Sequence, residues 1–252
     1  LGIVGESGSG KSQTGRAILG LTASRGEVTA KTLRFSGTDL LTADRRTLRQ
    51  IRGNRISMVL QDPKYSLNPV MTVGRQIAEA FLVHQPSTRQ EAKARTLAML
   101  RAVHIRDPER VARAYPHELS GGMGQRVMIA MMMIPEPDII IADEPTSALD
   151  VTVSLQVLAI LDEMVTRRGT GLILISHDLS LVASFCDRVL IMYAGRVVET
   201  CAAKDLARAQ HPYTRGLFNC LPKIDAHAAI LPTLQRDPNW AVEAPPPQGA
   251  AR

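Results

Sequence analysis

The segment Gly5–Ser12 limits the possible folds of this chain more than any other, because it matches the pattern G-x-x-x-x-G-K-[ST] at each fixed position. An apolar run that predicts a strand, Leu1–Val4, precedes it, and a helical segment, Thr14–Leu19, follows it. Glycines let successive backbone N–H groups surround a polyphosphate, and the helix N-terminus adds a positive end. Lys11 can reach the outer phosphates, and the Ser12 hydroxyl can bind Mg²⁺. The segment therefore predicts a nucleotide-binding loop rather than a Gly/Ser linker.

Short apolar runs alternate with helical periods along the rest of the chain, a pattern typical of a mostly parallel sheet covered by helices. Further strands are predicted at Ile56–Leu60, Ile139–Ala142, Gly171–Ile175 and Val189–Tyr193. A turn at Tyr193–Arg196 predicts a hairpin that continues into Val197–Glu199. Helices are predicted at Gln76–Val83, Arg89–His104, Gly122–Met133 and Val153–Met164. For the last of these helices, Thr152 is the expected N-cap and Gly169 the expected stop.

Residues 74–134 contain no strand pattern, which indicates a helical insertion in an α/β core. We therefore predict one domain over residues 1–240, with a core at about 1–73 and 135–200, a helical subdomain at about 74–134 and a C-terminal extension at about 201–240. Residues 241–252 include three consecutive prolines and predict a flexible tail. The chain does not begin with Met, and we expect its true N-terminal start to be missing.

The composition excludes several classes of protein. No apolar run approaches the roughly 18 residues needed to cross a bilayer, so an integral membrane protein is not expected. The three cysteines form no C-x-x-C pair, which predicts neither a disulfide framework nor a zinc or iron–sulfur site and favours a reducing compartment. The net charge of +6 fits phosphate ligands, nucleic acid or an anionic surface equally well.

An arginine-rich stretch raises the possibility of nucleic-acid binding. Aromatic residues make up only 4% of the chain and none is interleaved with these arginines, so a solvated helix face is the favoured interpretation. The stretch contains Arg45, Arg46, Arg49, Arg52 and Arg55.

Two carboxylates follow the buried run Ile139–Ala142. Asp143, at the strand end, can hold Mg²⁺ together with Ser12 and phosphate oxygens. Glu144 points to the other side and can act as general base toward an attacking water. Alone, such a pair could simply cap a surface strand, but the phosphate loop in the same chain favours the catalytic interpretation.

Two polar residues also end predicted strands. Gln61 follows Ile56–Leu60, and His177 follows Gly171–Ser176. A lone Gln or His is more often structural than catalytic. A functional role for both residues is nonetheless favoured, because ligands of α/β proteins bind at the carboxyl ends of the strands.

The segment Leu119–Arg126, which reads L-S-G-G-M-G-Q-R, resembles the LSGGQ signature of ATP-binding cassette (ABC) ATPases. The order of motifs also resembles that family: phosphate loop, Gln61, helical insertion, signature, acidic strand, a D-loop at Ser147–Asp150, and His177. The resemblance implies a P-loop NTPase (RecA-like) core with a parallel-rich sheet and an inserted helical subdomain. By itself, the Ser-Gly-Gly segment could be an ordinary capped helix start or a second anion site.

The resemblance also implies roles for individual residues. Glu144, His177 and Gln61 would be catalytic, with Glu144 as base, His177 holding the γ-phosphate and water, and Gln61 sensing nucleotide. Ser12, Gln61 and Asp143 would hold Mg²⁺. ATP would be bound between two cassettes, the phosphate loop of one facing the signature of the other. The implied nucleotide-contacting residues are Gly5, Glu6, Ser7, Gly8, Ser9, Gly10, Lys11, Ser12, Ser120, Gly121, Gly122 and Asp150.

A narrower resemblance, to peptide and nickel importers, is carried by Gln61–Pro63 followed by Ser66–Gly74, by Asp143–Thr152 and by His211–Arg215. This implies a peripheral ATPase on the cytoplasmic face of the bacterial inner membrane. The implied cofactors are ATP and Mg²⁺. The implied partners are a second ATPase subunit, identical or homologous, two membrane permease subunits and an extracytoplasmic binding protein, with no nucleic acid. Gly124 departs from the family pattern, in which a large polar residue is expected, and is expected to loosen the signature helix.

Three alternatives to a di- or oligopeptide importer remain open. One is a nickel importer ATPase of the same subfamily. Another is a soluble ABC ATPase that acts on nucleic acid or ribosomes, which the single phosphate loop and the lack of a long heptad segment disfavour. A third is a catalytically inactive regulatory cassette, which the presence of Glu144 and His177 disfavours.

Overall fold

The computed structural model describes residues 1–147 and 149–220, together with residues 234, 237 and 240. The predicted flexible tail, residues 241–252, lies outside the described residues. Within the described residues, the strands are β1 (Gly2–Gly5), β2 (Arg34–Phe35), β3 (Thr38–Asp39), β4 (Ile56–Val59), β5 (Ile139–Asp143), β6 (Gly171–Ser176), β7 (Arg188–Tyr193) and β8 (Arg196–Ala202).

The α-helices of the described residues vary in length from four to 18 residues. They are α1 (Lys11–Ile18), α2 (Arg45–Ile51), α3 (Pro63–Ser66), α4 (Val73–Leu82), α5 (Arg89–Ala102), α6 (Pro108–Arg113), α7 (Gly121–Met133), α8 (Val151–Arg168), α9 (Leu179–Phe185) and α10 (Pro212–Asn219). Two short 3-10 helices lie at Pro116–Glu118 and Ala203–Arg208.

The chain divides into two compact units, which are described separately. The first unit comprises Leu1–Thr14 and the described residues from Leu174 onward. In it, β1 pairs in parallel with the second half of β6 on one side and with β7 on the other. Strands β7 and β8 form an antiparallel hairpin through Ala194 and Gly195, whose φ values of 46° and 81° are those of a tight hairpin turn. Both the parallel pairing and the hairpin agree with the sequence predictions.

The second unit comprises Gly15–Ile173. Its strands β4 and β5 pair in parallel, with Ile56 opposite Ile139 and Val59 opposite Ala142. Ile140, Ile141 and Ala142 are completely buried, as expected for a parallel strand covered on both faces. The sequence pattern did not indicate the small hairpin of β2 and β3 in this unit, because each strand has only two residues.

The second unit also contains a helical segment in which α4 packs against α5, α6 and α7. The described residues between 74 and 134 form helices and connecting loops without a strand, as the sequence predicts. Gly74 allows α4 and α6 to approach closely, because a Cβ there would lie 2.8 Å from the Ala112 carbonyl oxygen. The amide of buried Gln76 binds the backbone of Asn68 and Met71 and so ties the loop before α4 to this helix. The division of the whole domain into core, subdomain and extension remains a prediction.

Several predicted boundaries shift in the structure, and one predicted cap is wrong. Helix α8 begins at Val151 with Asp150 as its N-cap, not at Thr152, because the Asp150 carboxylate accepts a hydrogen bond from the Val153 N–H at 3.0 Å. Gly169 ends the helix as predicted, in the left-handed conformation with φ of 64°.

The arginine-rich stretch is only partly helical. Arg45, Arg46 and Arg49 lie on α2 and are exposed to solvent, as predicted. Arg52 and Arg55 follow the helix and make specific contacts. Arg52 donates to the Gly20 carbonyl oxygen at 3.3 Å, and Arg55 pairs with Asp138 at 2.6 Å. In the part of the chain that the structure describes, no helix is both long and apolar enough to span a bilayer.

Candidate functional site

The phosphate loop lies in the first unit, between the end of β1 at Gly5 and the start of α1 at Lys11. Gly8 and Gly10 have φ values of 80° and 97°, which residues with a Cβ rarely adopt. Gly5 is required for a different reason, since a Cβ there would lie 2.2 Å from the Met192 carbonyl oxygen of β7. The two fixed glycines of the motif, Gly5 and Gly10, therefore each meet a requirement of the backbone.

Lys11 is only 5% exposed, and its ammonium group is held by the loop itself. The Lys11 Nζ donates to the carbonyl oxygens of Gly5 and Glu6 at 2.8 and 2.9 Å. The Ser9 hydroxyl is buried in the same loop and has no hydrogen-bond partner within the described residues. A buried hydroxyl without a partner costs about 1–3 kcal/mol, so the loop favours a polar ligand that accepts this hydrogen bond. A phosphate group fits this requirement.

Two of the three predicted catalytic residues lie together in the second unit. The Gln61 amide nitrogen donates to the Glu144 carboxylate at 3.2 Å, although the two residues are 83 positions apart in the sequence. Glu144 has a φ of 46°, an uncommon conformation for a residue with a side chain, and such strain is typical of functional sites. The hydrogen bond to Gln61 places the Glu144 carboxylate near the end of β4.

Asp143 is the last residue of β5 and is 3% exposed. A buried carboxylate needs a cation or hydrogen-bond donors to compensate for its desolvation. The proposed magnesium ligands are the Asp143 carboxylate, the Ser12 hydroxyl and the Gln61 amide, all of which offer hard oxygen atoms. Mg²⁺ prefers such donors and usually takes one or two protein carboxylates together with phosphate oxygens, so the donor chemistry of each residue taken singly suits the ion.

His177, the third predicted catalytic residue, lies in the first unit directly after β6 and is exposed. The loop around it is ordered by two capping hydrogen bonds. The Ser176 hydroxyl accepts from the Asp178 N–H at 3.0 Å, and the Asp178 carboxylate accepts from the Leu181 N–H at the start of α9. His177 is thereby fixed between a strand end and a helix start.

The signature segment begins helix α7. The Ser120 hydroxyl accepts from the Met123 N–H at 3.4 Å and caps the helix, so the segment has the capped-start geometry that the sequence predicts. Gly122 allows α7 to pack closely on α8, since a Cβ there would lie 2.5 Å from Val153 Cγ1. Asp150, predicted to contact nucleotide, caps α8 with one carboxylate oxygen.

The two glycines of helix α7 make a matched pair for a stability test. A Cβ at Gly124 would meet Pro63 at 3.4–3.5 Å, which is ordinary van der Waals contact. We therefore expect Gly124→Ala to stabilise the protein by about 0.5–1 kcal/mol, because alanine removes backbone entropy from the unfolded chain. Gly122→Ala should destabilise it, because Val153 must move. Urea unfolding of both variants measures the two changes, and a loss of stability in Gly124→Ala would contradict the expectation.

Comparison with known proteins decides the family. The family model described as "ABC transporter" matches residues 1–147, which is more than half of the chain. The chain belongs to the ABC transporter family. It is 53% identical over 227 residues to the probable peptide ABC transporter ATP-binding protein y4tR of Sinorhizobium fredii, covering 88% of this chain and 67% of that protein.

Other relatives in the ABC transporter family have related names. The dipeptide transport ATP-binding protein DppD of Haemophilus influenzae is 50% identical, with 93% of this chain and 72% of that protein covered. The oligopeptide transport ATP-binding protein OppD of Salmonella typhimurium is 46% identical, with 94% of this chain and 71% of that protein covered. The family resemblance that the signature and motif order indicate is thus confirmed, and the chain is an ATP-hydrolysing transport subunit.

Solved structures agree with the fold. The ATP-binding cassette MJ0796, in a dimeric post-hydrolysis state with ADP and phosphate bound, superimposes with a TM-score of 0.70 at 27% identity. The match covers 80% of this chain and 84% of that one. CbiO1 of Clostridium perfringens, part of an ABC transporter complex, also gives a TM-score of 0.70 at 27% identity. This match covers 82% of this chain and 78% of the CbiO1 chain. The predicted α/β P-loop NTPase fold is confirmed.

One contact to the phosphate loop was not predicted from the sequence. The Tyr213 hydroxyl accepts a hydrogen bond from the Glu6 N–H at 3.2 Å. Tyr213 lies within the segment His211–Arg215, which stands out in the sequence only through its resemblance to peptide and nickel importers. The hydroxyl needs a partner because the Tyr213 side chain is fully buried, but neither this burial nor a partner 207 positions away could be read from the sequence.

Proposed function

We propose that this chain is the ATP-binding and ATP-hydrolysing subunit of an importer for dipeptides or oligopeptides. It would act at the cytoplasmic face of the inner membrane with a second ATPase subunit, two permease subunits and an extracytoplasmic binding protein. The identities of 45–53% to proteins named for peptide, dipeptide and oligopeptide transport support the substrate class. The hydrogen bond between Gln61 and Glu144 is the single geometric observation that carries the hydrolytic role.

The loop Gly5–Ser12 is proposed to bind the nucleotide phosphates. Backbone N–H groups of the loop and the N-terminus of α1 would donate to phosphate oxygens, and the Ser9 hydroxyl would gain its missing partner. The Lys11 ammonium, now bound to two loop carbonyl oxygens, would turn to the outer phosphates and stabilise the charge that develops during hydrolysis.

The proposed hydrolytic residues are Glu144, Gln61 and His177. Glu144 would accept a proton from the attacking water, and the hydrogen bond from the Gln61 amide to this carboxylate supports that role. His177 would hold the γ-phosphate and the water. Ser12, Asp143 and Gln61 would hold Mg²⁺, which neutralises phosphate charge when bound.

The signature residues Ser120, Gly121 and Gly122 are proposed to act on the nucleotide of the partner subunit. They form a capped helix start, which presents N–H groups and a positive end to an anion. ATP would then favour the closed pair of cassettes, and hydrolysis would remove that preference. Asp150 would contribute to the same interface through the D-loop.

An uptake experiment tests the substrate class. Proteoliposomes would contain this chain assembled with its proposed permease and ATPase partner subunits, with ATP inside and the binding protein outside. We expect ATP-dependent accumulation of a radiolabelled dipeptide or oligopeptide, and no accumulation of ⁶³Ni²⁺. Vesicles without ATP are the control. Nickel uptake without peptide uptake would overturn the peptide proposal in favour of the nickel importer, while leaving the hydrolytic role in place.

A further inference from the structure

The segment that carries Tyr213 forms an aromatic cluster in the first unit. The ring of Tyr213 lies 4.6 Å from that of Tyr193, at the end of β7, and 5.9 Å from that of Trp240. Trp240 also makes an edge contact with Tyr193 at 6.0 Å, and it is the single tryptophan of the chain. The Tyr213 side chain is completely buried, so its ring has little freedom to move.

Tyr213 touches the phosphate loop at one peptide group. Its hydroxyl accepts from the Glu6 N–H at 3.2 Å, and the carbonyl of the same peptide, that of Gly5, accepts from Lys11 Nζ at 2.8 Å. The Gly5–Glu6 peptide plane is therefore held at both ends. A rotation of this plane would break the tyrosine bond and move one of the two carbonyl oxygens that position the lysine.

The backbone of Tyr213 is itself anchored to the sheet. His211 caps α10, with its Nδ1 accepting from the Tyr213 N–H at 3.2 Å. Burial lowers the pKa of His211, partly offset by the Glu199 carboxylate, and the neutral imidazole can accept this bond. Glu199, on β8, accepts from the N–H groups of Gln210 and His211 at 2.7 and 3.3 Å. The hydroxyl is thus placed by the hairpin β7–β8 and not by a free loop.

We propose that Tyr213 is a positioning residue for nucleotide binding: its hydroxyl fixes the Gly5–Glu6 peptide and, through it, Lys11. The inference rests on the proposed role of Gly5–Ser12 as the phosphate-binding loop. It gives the C-terminal segment His211–Arg215 a function in the first unit, namely to hold the phosphate loop in its binding conformation. Tyr213 acts through the loop and makes no contact with the reacting atoms.

The test compares two variants that each lose one hydroxyl from the same cluster. Tyr213→Phe keeps the ring and removes the bond to Glu6. Tyr193→Phe is the matched control, because no hydrogen bond of the Tyr193 hydroxyl is found within the described part of the chain. Isothermal titration with Mg-ADP measures the Kd of each full-length protein. A net hydrogen bond of ordinary strength predicts a Kd about 3- to 10-fold higher in Tyr213→Phe and unchanged in Tyr193→Phe.

Trp240 supplies a second measurement on the unmodified chain. Because its ring contacts Tyr213, ADP binding to the wild-type protein should shift its emission, and Tyr213→Phe should reduce this shift at saturating ADP. A purely structural role would change thermal unfolding without this loss of optical response. The wild-type measurement stands even where a variant folds poorly.

The possible outcomes distinguish the positioning role of Tyr213 from the nucleotide-binding role of the phosphate loop. Wild-type protein that binds no nucleotide would overturn the proposed role of the phosphate loop. Nucleotide binding with equal Kd values in wild type and Tyr213→Phe, or equal losses in both variants, would overturn the positioning role alone. Wild-type binding with silent Trp240 emission would also count against it. A selective loss in Tyr213→Phe, accompanied by the reduced optical response, supports the inference.

Discussion

Replacement of Glu144 by Gln is expected to lower kcat for ATP hydrolysis by at least about 100-fold, while nucleotide still binds. A positioned general base typically contributes about 10²- to 10⁴-fold to a rate, and an amide cannot take up the proton of the attacking water. The amide retains an oxygen that can accept from Gln61, so the contact at 3.2 Å can persist. Phosphate release under saturating ATP measures the rate, and titration with nucleotide measures the binding.

The same variant should accumulate the ATP-bound pair of cassettes, because the step that dissolves it no longer occurs. Light scattering with ATP and without it would detect this change in mass. The control is Glu136→Gln. Glu136 is also a glutamate at positive φ, 62°, and it pairs with Arg95 and Arg168 at the surface, at 3.1 and 3.3 Å. Surface ion pairs contribute about 0–1 kcal/mol, so hydrolysis should be unchanged. Wild-type turnover in Glu144→Gln would remove Glu144 from the role of base.

The sequence predicted the parts of the fold whose signals are local. Apolar runs located β4 to β7, because buried parallel strands need continuous apolar stretches. Gly169 located the end of α8, since glycine readily adopts the left-handed conformation there. The start of α8 was harder to predict, because Asp150 and Thr152 are both good capping residues. The structure shows that Asp150 makes the capping hydrogen bond, and the spacing of apolar residues in the helix does not distinguish the two.

Short elements gave too little periodicity to be predicted. Helix α3 has four residues, and α6 has six, which is less than two helical turns. Both begin with proline after a capping aspartate, Asp62 or Asp107, so a capping signal was available where periodicity was not. Capping residues therefore carried more information than apolar spacing in these segments.

The candidate site depends on contacts that join distant segments. The phosphate loop could be predicted because its pattern fixes backbone conformation within eight residues. The bond between Gln61 and Glu144 could not, because strand ends indicate an edge of a sheet but not the direction of each side chain. Glu144 also adopts a positive φ of 46°, which its residue type does not predict.

Replacement of Lys11 by Met is expected to raise the Kd for Mg-ADP by about 100-fold or more. Hydrogen bonds from a charged group contribute about 1.5–3 kcal/mol each, and the ammonium would make at least two to the phosphates. The apolar side chain would also leave the carbonyl oxygens of Gly5 and Glu6 without their donor. Titration calorimetry measures the affinity, and urea unfolding measures the accompanying loss of stability.

The effect of Lys11→Met must be distinguished from a general loss of positive charge. Lys204 lies in the same unit, in the 3-10 helix Ala203–Arg208, and is exposed, so Lys204→Met removes the same charge from a residue outside the loop. At 0.15 M ionic strength the Debye length is about 8 Å, so solvent and salt weaken the effect of an exposed surface charge. We expect the Kd of this control to stay within twofold of wild type, on the order of 0.4 kcal/mol. Equal losses in both variants would mean that bulk charge attracts the nucleotide. A loss confined to Lys11→Met assigns the attraction to the ammonium that the Gly5 and Glu6 carbonyl oxygens hold in the loop.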